Sequence, residues 1–300
     1  MMHSPLRYPG GKSDFLAVAA EIFQLSGFTG LHVVEPYAGS AAIALGLLDF
    51  GLTPSVLLLE RDPLLFGFWH SVFCRPEELI ARFQELPITL ETWHSLQHYL
   101  KVSNPMSQDL VALGLAGLFF NRTNFSGILN AGPIGGKQQS SVYDISCRTN
   151  KDDIIVRILT LSTLASKVDV QFGDAIALMA KMANRSDCFF YLDPPYFKKG
   201  ESLYRHFYRL GQHKELANTL STVEFKWLLS YDDHHVIEFL YEAFNVRRCN
   251  FQYSARSYSK RDELLISNFE LPNGSKRDLK TARRQRHRTA FFEKSTPHAR

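Results

Sequence analysis

The sequence predicts an α/β fold framed by a doubly wound, mainly parallel sheet, and three observations carry that reading. Leu31–Val34, Val56–Leu59, Val168–Phe172 and Cys188–Leu192 are short apolar runs, too short for helices, bounded by turn residues. The first three each lead through a turn into a helical pattern, at 41–48, 64–73 and 175–183. An acidic residue stands at or just past the end of each run: Glu35, Glu60, Asp174 and Asp193. Open α/β sheets place their ligands at that end of their strands.

Taken in order, the chain begins with Arg7-Tyr8-Pro9-Gly10-Gly11-Lys12-Ser13. The Gly-Lys-Ser ending suggests a phosphate loop, but Leu6 stands where that motif needs glycine, so the segment reads as a tight turn. Phe15, Ala19, Ile22 and Phe23 then mark a helix. After the first strand, Glu35-Pro36-Tyr37-Ala38-Gly39-Ser40 is a small-residue turn opening a helix, as at a nucleotide-binding crevice. The dinucleotide pattern itself fails, because Ala41 and Ala44 occupy glycine positions. Glu60, about 20 residues past the turn at the next strand's tip, suits a ribose-binding carboxylate.

From Asp62 to about Ala165 the alternation gives way to helical patterns: Leu64–Phe73, Pro76–Leu86, Leu90–Val102 and Leu110–Phe120. His94 and His98 lie four apart, but no third ligand accompanies them, so no metal site is expected. A long loop follows, with Asn121, Arg122, Asn124 and Lys137 among its polar residues. Amide and cationic side chains of this kind read base edges and phosphates, and a loop this long in a compact domain is usually functional. After a helix at 153–164 and the strand at 168–172, Asp174 either caps the following helix or accepts from a cofactor's exocyclic amine.

The fourth run ends in Asp193-Pro194-Pro195-Tyr196. Neither proline donates a backbone N–H, so the sheet stops and a rigid corner forms. It groups a carboxylate, a proline carbonyl and an aromatic face, which suits an exocyclic amine on a stacked base. Lys198, Lys199, Arg205 and Arg209 follow among Tyr204, Phe207 and Tyr208, a mixture suited to a nucleic-acid surface. Further strands are expected at 225–230, 246–253 and 263–267, with a helix at 236–244 and a polar loop over 254–261 that contains Arg256.

Composition narrows the class. Hydrophobic residues make up 45% and charged residues 21% of the chain, an ordinary globular balance. No apolar run reaches the ~18 residues of a membrane span, and the start lacks a signal-peptide pattern. Four scattered cysteines without a CxxC pair point away from disulfides and zinc and towards a reducing, cytoplasmic setting. The net charge of +4 arises in the tail, where residues 271–300 carry nine Lys or Arg against two acids. Such a tail suits a polyanion.

Together the pieces Arg7–Lys12, Glu35–Ser40, Phe120–Thr123 with Phe125–Gly127, Gly173-Asp174, Asp193–Tyr196 and Glu263–Asn268 resemble the Dam-like (D12 class) adenine-specific DNA methyltransferases, in order and over residues 7–268. Two departures stand out: Ala41 for a usual glycine, and Glu60 for a common aspartate. The resemblance implies a Rossmann-like sheet binding S-adenosyl-L-methionine, with 1–61 and 166–270 as the catalytic domain. It also implies a mainly helical target-recognition domain inserted at 62–165 and a basic tail at 271–300. Tyr8, Lys12, Glu35, Pro36, Tyr37, Ala38, Gly39, Ser40, Glu60 and Asp174 would serve the cofactor. Asp193, Pro194, Pro195 and Tyr196 would hold a flipped adenine. Asn121, Arg122, Asn124, Lys137, Lys198 and Arg256 would meet duplex DNA. The enzyme is expected to act as a monomer without metal. The alternatives are a methyltransferase for RNA or a protein amide, whose corner usually carries Asn in place of Asp193, and a non-catalytic DNA-binding homologue.

Overall fold

The structure, a computed structural model, describes residues 4–7, 12, 15–198, 200–251 and 261–272. The elements in order are α1 (Leu16–Leu25), β1 (His32–Glu35), α2 (Ala42–Asp49), β2 (Val56–Glu60), α3 (Pro63–Cys74), α4 (Pro76–Glu85), α5 (Leu90–Ser95), α6 (Leu110–Thr123) and α7 (Lys151–Ser162). They continue with β3 (Val168–Phe172), α8 (Ala175–Lys181), β4 (Cys188–Leu192), α9 (Gly200–Leu203), α10 (Leu210–Leu220), β5 (Lys226–Asp232), α11 (His235–Leu240), β6 (Asn245–Phe251) and β7 (Arg261–Ser267). The seven strands lie in the order β3-β2-β1-β4-β5-β7-β6, with β7 antiparallel to both neighbours and every other pairing parallel.

The strands read as continuous apolar runs because both sheet faces are covered. Val33, Leu58, Phe189, Tyr191, Leu228 and Leu265 face a core shared with α1, α2, α3, α4, α6 and α7. Their neighbours Val34, Leu59, Phe190, Leu192, Leu229 and Leu264 face the other core, with α8, α10 and α11. Chain order reverses between β1 and β4, which opens a crevice at their carboxyl ends.

Residues 62–165 contribute to the same framework. α3 is the first helix of the β2-to-β3 crossover, and it joins α4, α6 and α7 in one continuous core with the sheet. α3 and α6 meet through glycines: a Cβ on Gly114 would lie 2.6 Å from the Gly67 carbonyl oxygen, and one on Gly117 would lie 2.7 Å from that of Leu64. Two further elements differ from the sequence expectation. The helix expected over 90–102 ends at Ser95 and tightens into a 3₁₀ segment, Leu96–Lys101. Ser95 Oγ bonds the Thr92 carbonyl at 2.8 Å, a local competitor for the helix ladder. The stretch after Arg209, to which the sequence assigned no element, forms α10 and buries His213, Leu216, Ala217 and Leu220. Among the described residues, no helix is long and apolar enough to cross a membrane.

Candidate active site

The crevice at the switch point is an open cleft. Pro36, Tyr37, Glu60, Asp193 and Pro195 line it, with Leu65, Ile128 and Leu129 as apolar wall. Leu203, Tyr204, Arg205, His206 and Tyr208 form a strap along one side. Arg205 donates from Nη1 to both Asp62 oxygens, at 2.9 and 3.0 Å, and from Nη2 to the Leu100 carbonyl at 2.5 Å. This inward ion pair removes Arg205 from the basic surface expected of it.

The turn after β1 owes its shape to backbone rather than glycine content. Gly39 has φ 47° and Ala41 φ 51°, so Ala41 adopts the left-handed conformation that glycine enters without strain. Glu35 is buried and turned away from the cleft, where its Oε2 accepts the Ala44 N–H at 2.8 Å at the start of α2. Burial holds its carboxyl well above the ordinary carboxylate range. Glu35 thus shapes the turn and does not line the cleft. Ala38 and Gly39 are likewise buried.

Glu60 accepts the backbone N–H groups of Gly39 (3.0 Å), Arg61 (2.9 Å) and Asp62 (2.9 Å). A carboxylate has about four acceptor sites, so one remains for a ligand hydroxyl. Burial pushes its carboxyl up to about 7. Asp174 fulfils the capping alternative: its Oδ1 accepts the Ile176 and Ala177 N–H groups, and its Oδ2 meets Arg61 at 2.8 Å. A sulfonium nucleoside fits such a site, since it has hydroxyls for Glu60, an aromatic ring for the apolar wall and a positive charge for the acidic lining.

The Asp193–Tyr196 corner is a packed polar cluster. Asp193 Oδ1 accepts Ser230 Oγ at 2.9 Å and lies 3.3 Å from Lys12 Nζ, while Oδ2 takes part in neither contact. Tyr191 OH reaches Ser230 Oγ at 3.0 Å from within β4. Lys12 Nζ also donates to Glu263 Oε2 at 2.7 Å and to the Tyr196 hydroxyl at 3.1 Å, and that hydroxyl donates to Glu263 Oε1 at 3.0 Å. Burial raises the Asp193 carboxyl to about 6, against the opposing pull of Lys12. Tyr196 is 5% exposed, with Tyr204 edge-on at 6.3 Å and Lys12 5.4 Å from its ring centre. Stacking on that ring therefore requires one of these neighbours to move. Ser230, Asp232 and Glu263 carry parts of the site to which the sequence reading gave no role, although Glu263 opens one of the pieces that carry the resemblance. Asp232 fixes the exit from the corner by accepting the Phe197 and Lys198 N–H groups at 2.8 and 2.9 Å.

The expected DNA-facing residues divide. Asn121 is buried and bonds Arg7 N, Arg7 O and Gly127 O, while Asn124 bonds Trp93 Nε1, Ile128 O and Leu129 O. Both amides, expected to face DNA, are buried here and brace the loop from inside. Lys137 and Lys198 are exposed. The loop braced by the two amides displays Phe125, 69% exposed, beside the cleft residue Gly127. Arg122 is half-buried, and burial with Arg7, Arg157 and Arg148 nearby lowers its guanidinium to about 10. Arg7 Nη1 and Arg122 Nε have no hydrogen-bond partner among the described residues. Tyr8, Arg256 and residues 273–300 lie outside the described residues. Among those described, no group of three or more His, Cys, Asp or Glu could hold a metal ion.

Similarities to solved structures are distant. A Pyrococcus horikoshii protein assigned as an RNA methyltransferase matches with TM-score 0.38 and 10% identity, over 87% of this chain and 84% of that one. An Escherichia coli protein assigned as a methyltransferase matches with TM-score 0.38 and 12% identity, over 88% and 92%. A Streptococcus pneumoniae protein assigned as a tRNA (m1A22) methyltransferase, in complex with S-adenosyl-L-methionine, matches with TM-score 0.36 and 9% identity, over 89% and 77%. No curated protein matches the chain by sequence. A family match spans residues 8–255, which takes in the turn after β1, the cleft and the Asp193 corner, and by it this chain belongs to the D12 class N6 adenine-specific DNA methyltransferases.

Proposed function

We propose that this methyltransferase acts on the N6 amine of an adenine flipped out of duplex DNA. The observation that carries the reading is the Asp193 carboxylate at the cleft, with Oδ1 held by Ser230 and Lys12 and Oδ2 outside both contacts. The family's methyl donor, S-adenosyl-L-methionine, supplies an electrophilic methyl group on sulfur. Glu60 offers its remaining acceptor site to the ribose, and Tyr37 and Pro36 wall the same cleft. An adenine amine is a poor nucleophile because its lone pair is delocalised into the ring. A hydrogen bond from N6–H to Asp193, and a second to the Pro194 carbonyl, returns electron density to nitrogen. With S-adenosyl-L-methionine bound, Asp193 and the Pro194 carbonyl would hold the amine in line with its methyl group, and the new nitrogen–carbon bond would form as the carbon–sulfur bond broke, its electron pair staying on sulfur. Asp193 is the nearest base for the proton that the amine sheds.

Tyr196 gives the base a stacking surface once Tyr204 or Lys12 moves aside. Stacking offers about 1–3 kcal/mol, comparable with the few kcal/mol that extrusion costs. The arginines around Arg122 support a polyanionic partner: Arg7, Arg148 and Arg157 lie close enough to repel the Arg122 charge, with Asp153 as a counter-charge beside Arg122 and Arg157. A phosphodiester at this cluster relieves that repulsion.

The test is transfer of a labelled methyl group to duplex DNA, to RNA and to protein in parallel, with the modified base identified by mass. N6-methyladenine in duplex DNA is expected. Asp193→Ala should abolish transfer while calorimetry still shows cofactor binding. Transfer to RNA or protein with none to DNA overturns the reading, as does near-normal turnover by the alanine variant.

A further inference from the structure

The buried cluster behind the corner contains two carboxylates and one ammonium. Lys12 is 3% and Glu263 2% exposed, and Lys12 Nζ is nearer to Glu263 (2.7 Å) than to Asp193 (3.3 Å). Glu263 sits on β7, opposite Asp232 in the register with β5, so the sheet itself fixes its backbone. Its second oxygen takes the Tyr196 hydroxyl. One side chain thus holds the cation that would otherwise settle on Asp193 and also sets the orientation of the ring beside it. We propose that Glu263 is a positioning residue for methyl transfer: it draws the Lys12 ammonium and anchors the Tyr196 hydroxyl so that Asp193 stays an acceptor for the substrate amine. This inference rests on the reading of Asp193 given above.

Neutralising Glu263 leaves Lys12 with Asp193 as its remaining carboxylate partner among those described. A full ion pair there competes with the incoming N6–H for the carboxylate's electron density, and a glutamine offers one carbonyl oxygen in place of the two carboxylate oxygens that Lys12 and Tyr196 now share. Misplacing a reacting group by about 1 Å can cost about 100-fold, so the transfer rate should fall on the order of 10- to 100-fold. A residue that only stabilised the fold would not alter how the rate depends on pH. Glu263 acts through the charge around Asp193, so it does alter it. The charged and titratable groups that bear on Asp193 are Lys12 from the N-terminal segment, Glu263 from β7, Glu35 from β1, Tyr191 from β4 and Tyr231 from β5. Lys12 favours the ionised carboxylate and Glu263 opposes it.

The experiment is single-turnover methyl transfer to duplex DNA between pH 5 and 9, with saturating S-adenosyl-L-methionine, for Glu263→Gln, Lys12→Met and the double variant. Thermal unfolding and cofactor calorimetry confirm that each variant is folded and loaded. Glu263→Gln should lower the plateau rate and move the acid limb to lower pH. Lys12→Met should move that limb to higher pH, and in the double variant the two displacements should largely cancel. Acid limbs that stay fixed, or move in the same direction in both single variants, overturn the role given to Glu263. Asp193→Ala, run alongside, separates the two levels: transfer surviving that change refutes the reading of the corner, whatever Glu263→Gln does.

Discussion

The strap over the cleft depends on one buried ion pair, and breaking it gives a quantitative test. Asp62 and Arg205 side chains are 8% and 10% exposed. Asp62 also caps α3 through the Leu64 N–H at 2.9 Å, and Arg205 satisfies the Leu100 carbonyl as well. Arg205→Ala leaves a buried carboxylate without its counter-charge, a change that costs about 3–5 kcal/mol. Asp62→Asn keeps a competent cap, since Asn and Asp are near-equal at that position, but strands the guanidinium. The double variant removes both charges and retains the cap. It should therefore be much more stable than the two single losses added together, with a coupling energy on the order of 2 kcal/mol. Urea unfolding of the four proteins measures that coupling. The strap residues line the cleft beside Glu60, so Arg205→Ala should also weaken S-adenosyl-L-methionine binding by calorimetry under conditions where the variant is fully folded. Additivity within about 0.5 kcal/mol, or unchanged cofactor affinity in Arg205→Ala, refutes the account of the strap.

Two further outcomes follow from the same geometry. Gly114→Ala gains about 1 kcal/mol of helix propensity, but its new methyl meets the Gly67 carbonyl at 2.6 Å, where only a shift of α3 makes room. Overpacking of this kind costs about 1–3 kcal/mol or more, so denaturant unfolding should show a net loss, and a midpoint at or above wild type would refute the packing argument. Asp193 is held at about 6 against an ordinary value of 3.8, so the folded state keeps a proton that the unfolded chain releases. Its contribution to stability is fully present below pH 3.8 and is lost as pH rises through about 6, a change of about 3 kcal/mol. Asp193→Asn removes that dependence, so its stability relative to wild type should rise between pH 4 and 7. A pH-independent difference between the two proteins would show that the carboxyl is not perturbed.

The sheet was legible because its strands are buried on both faces. Val56–Leu59 and Cys188–Leu192 carry no polar residue to disguise them, and their bounds agree with β2 and β4 to within a residue. α10 was not legible because its buried stripe begins with a histidine. His213 is 1% exposed and shares a short hydrogen bond with Tyr231, a partner 18 residues away that no local pattern discloses. The stripe at 213, 216, 217 and 220 was nonetheless present in the sequence, masked by the arginines and tyrosines before it.

The site divides in the same way, according to whether a residue's role is set by its own neighbourhood or by distant chain. Glu60 and Asp193 stand at strand ends, and a strand end is a local property. The side chains that determine what Asp193 can do come from elsewhere: Lys12 precedes it by 181 positions, as the numbering shows, and Glu263 bonds Tyr196 across 67. Residue type is also a poor guide to which way a side chain turns. Asn121, Asn124 and Arg205 have the chemistry of nucleic-acid contacts, yet each is spent on backbone or on a buried carboxylate. Buried backbone carbonyls in an irregular loop need donors, and amides and guanidinium groups are the side chains that reach several at once. The same demand makes the exposed exceptions informative. Phe125 meets no such demand, yet the two amides that precede it bond the Gly127 and Leu129 carbonyls and hold it out in solvent, so the loop's internal bonds serve to present a ring that the fold itself does not use.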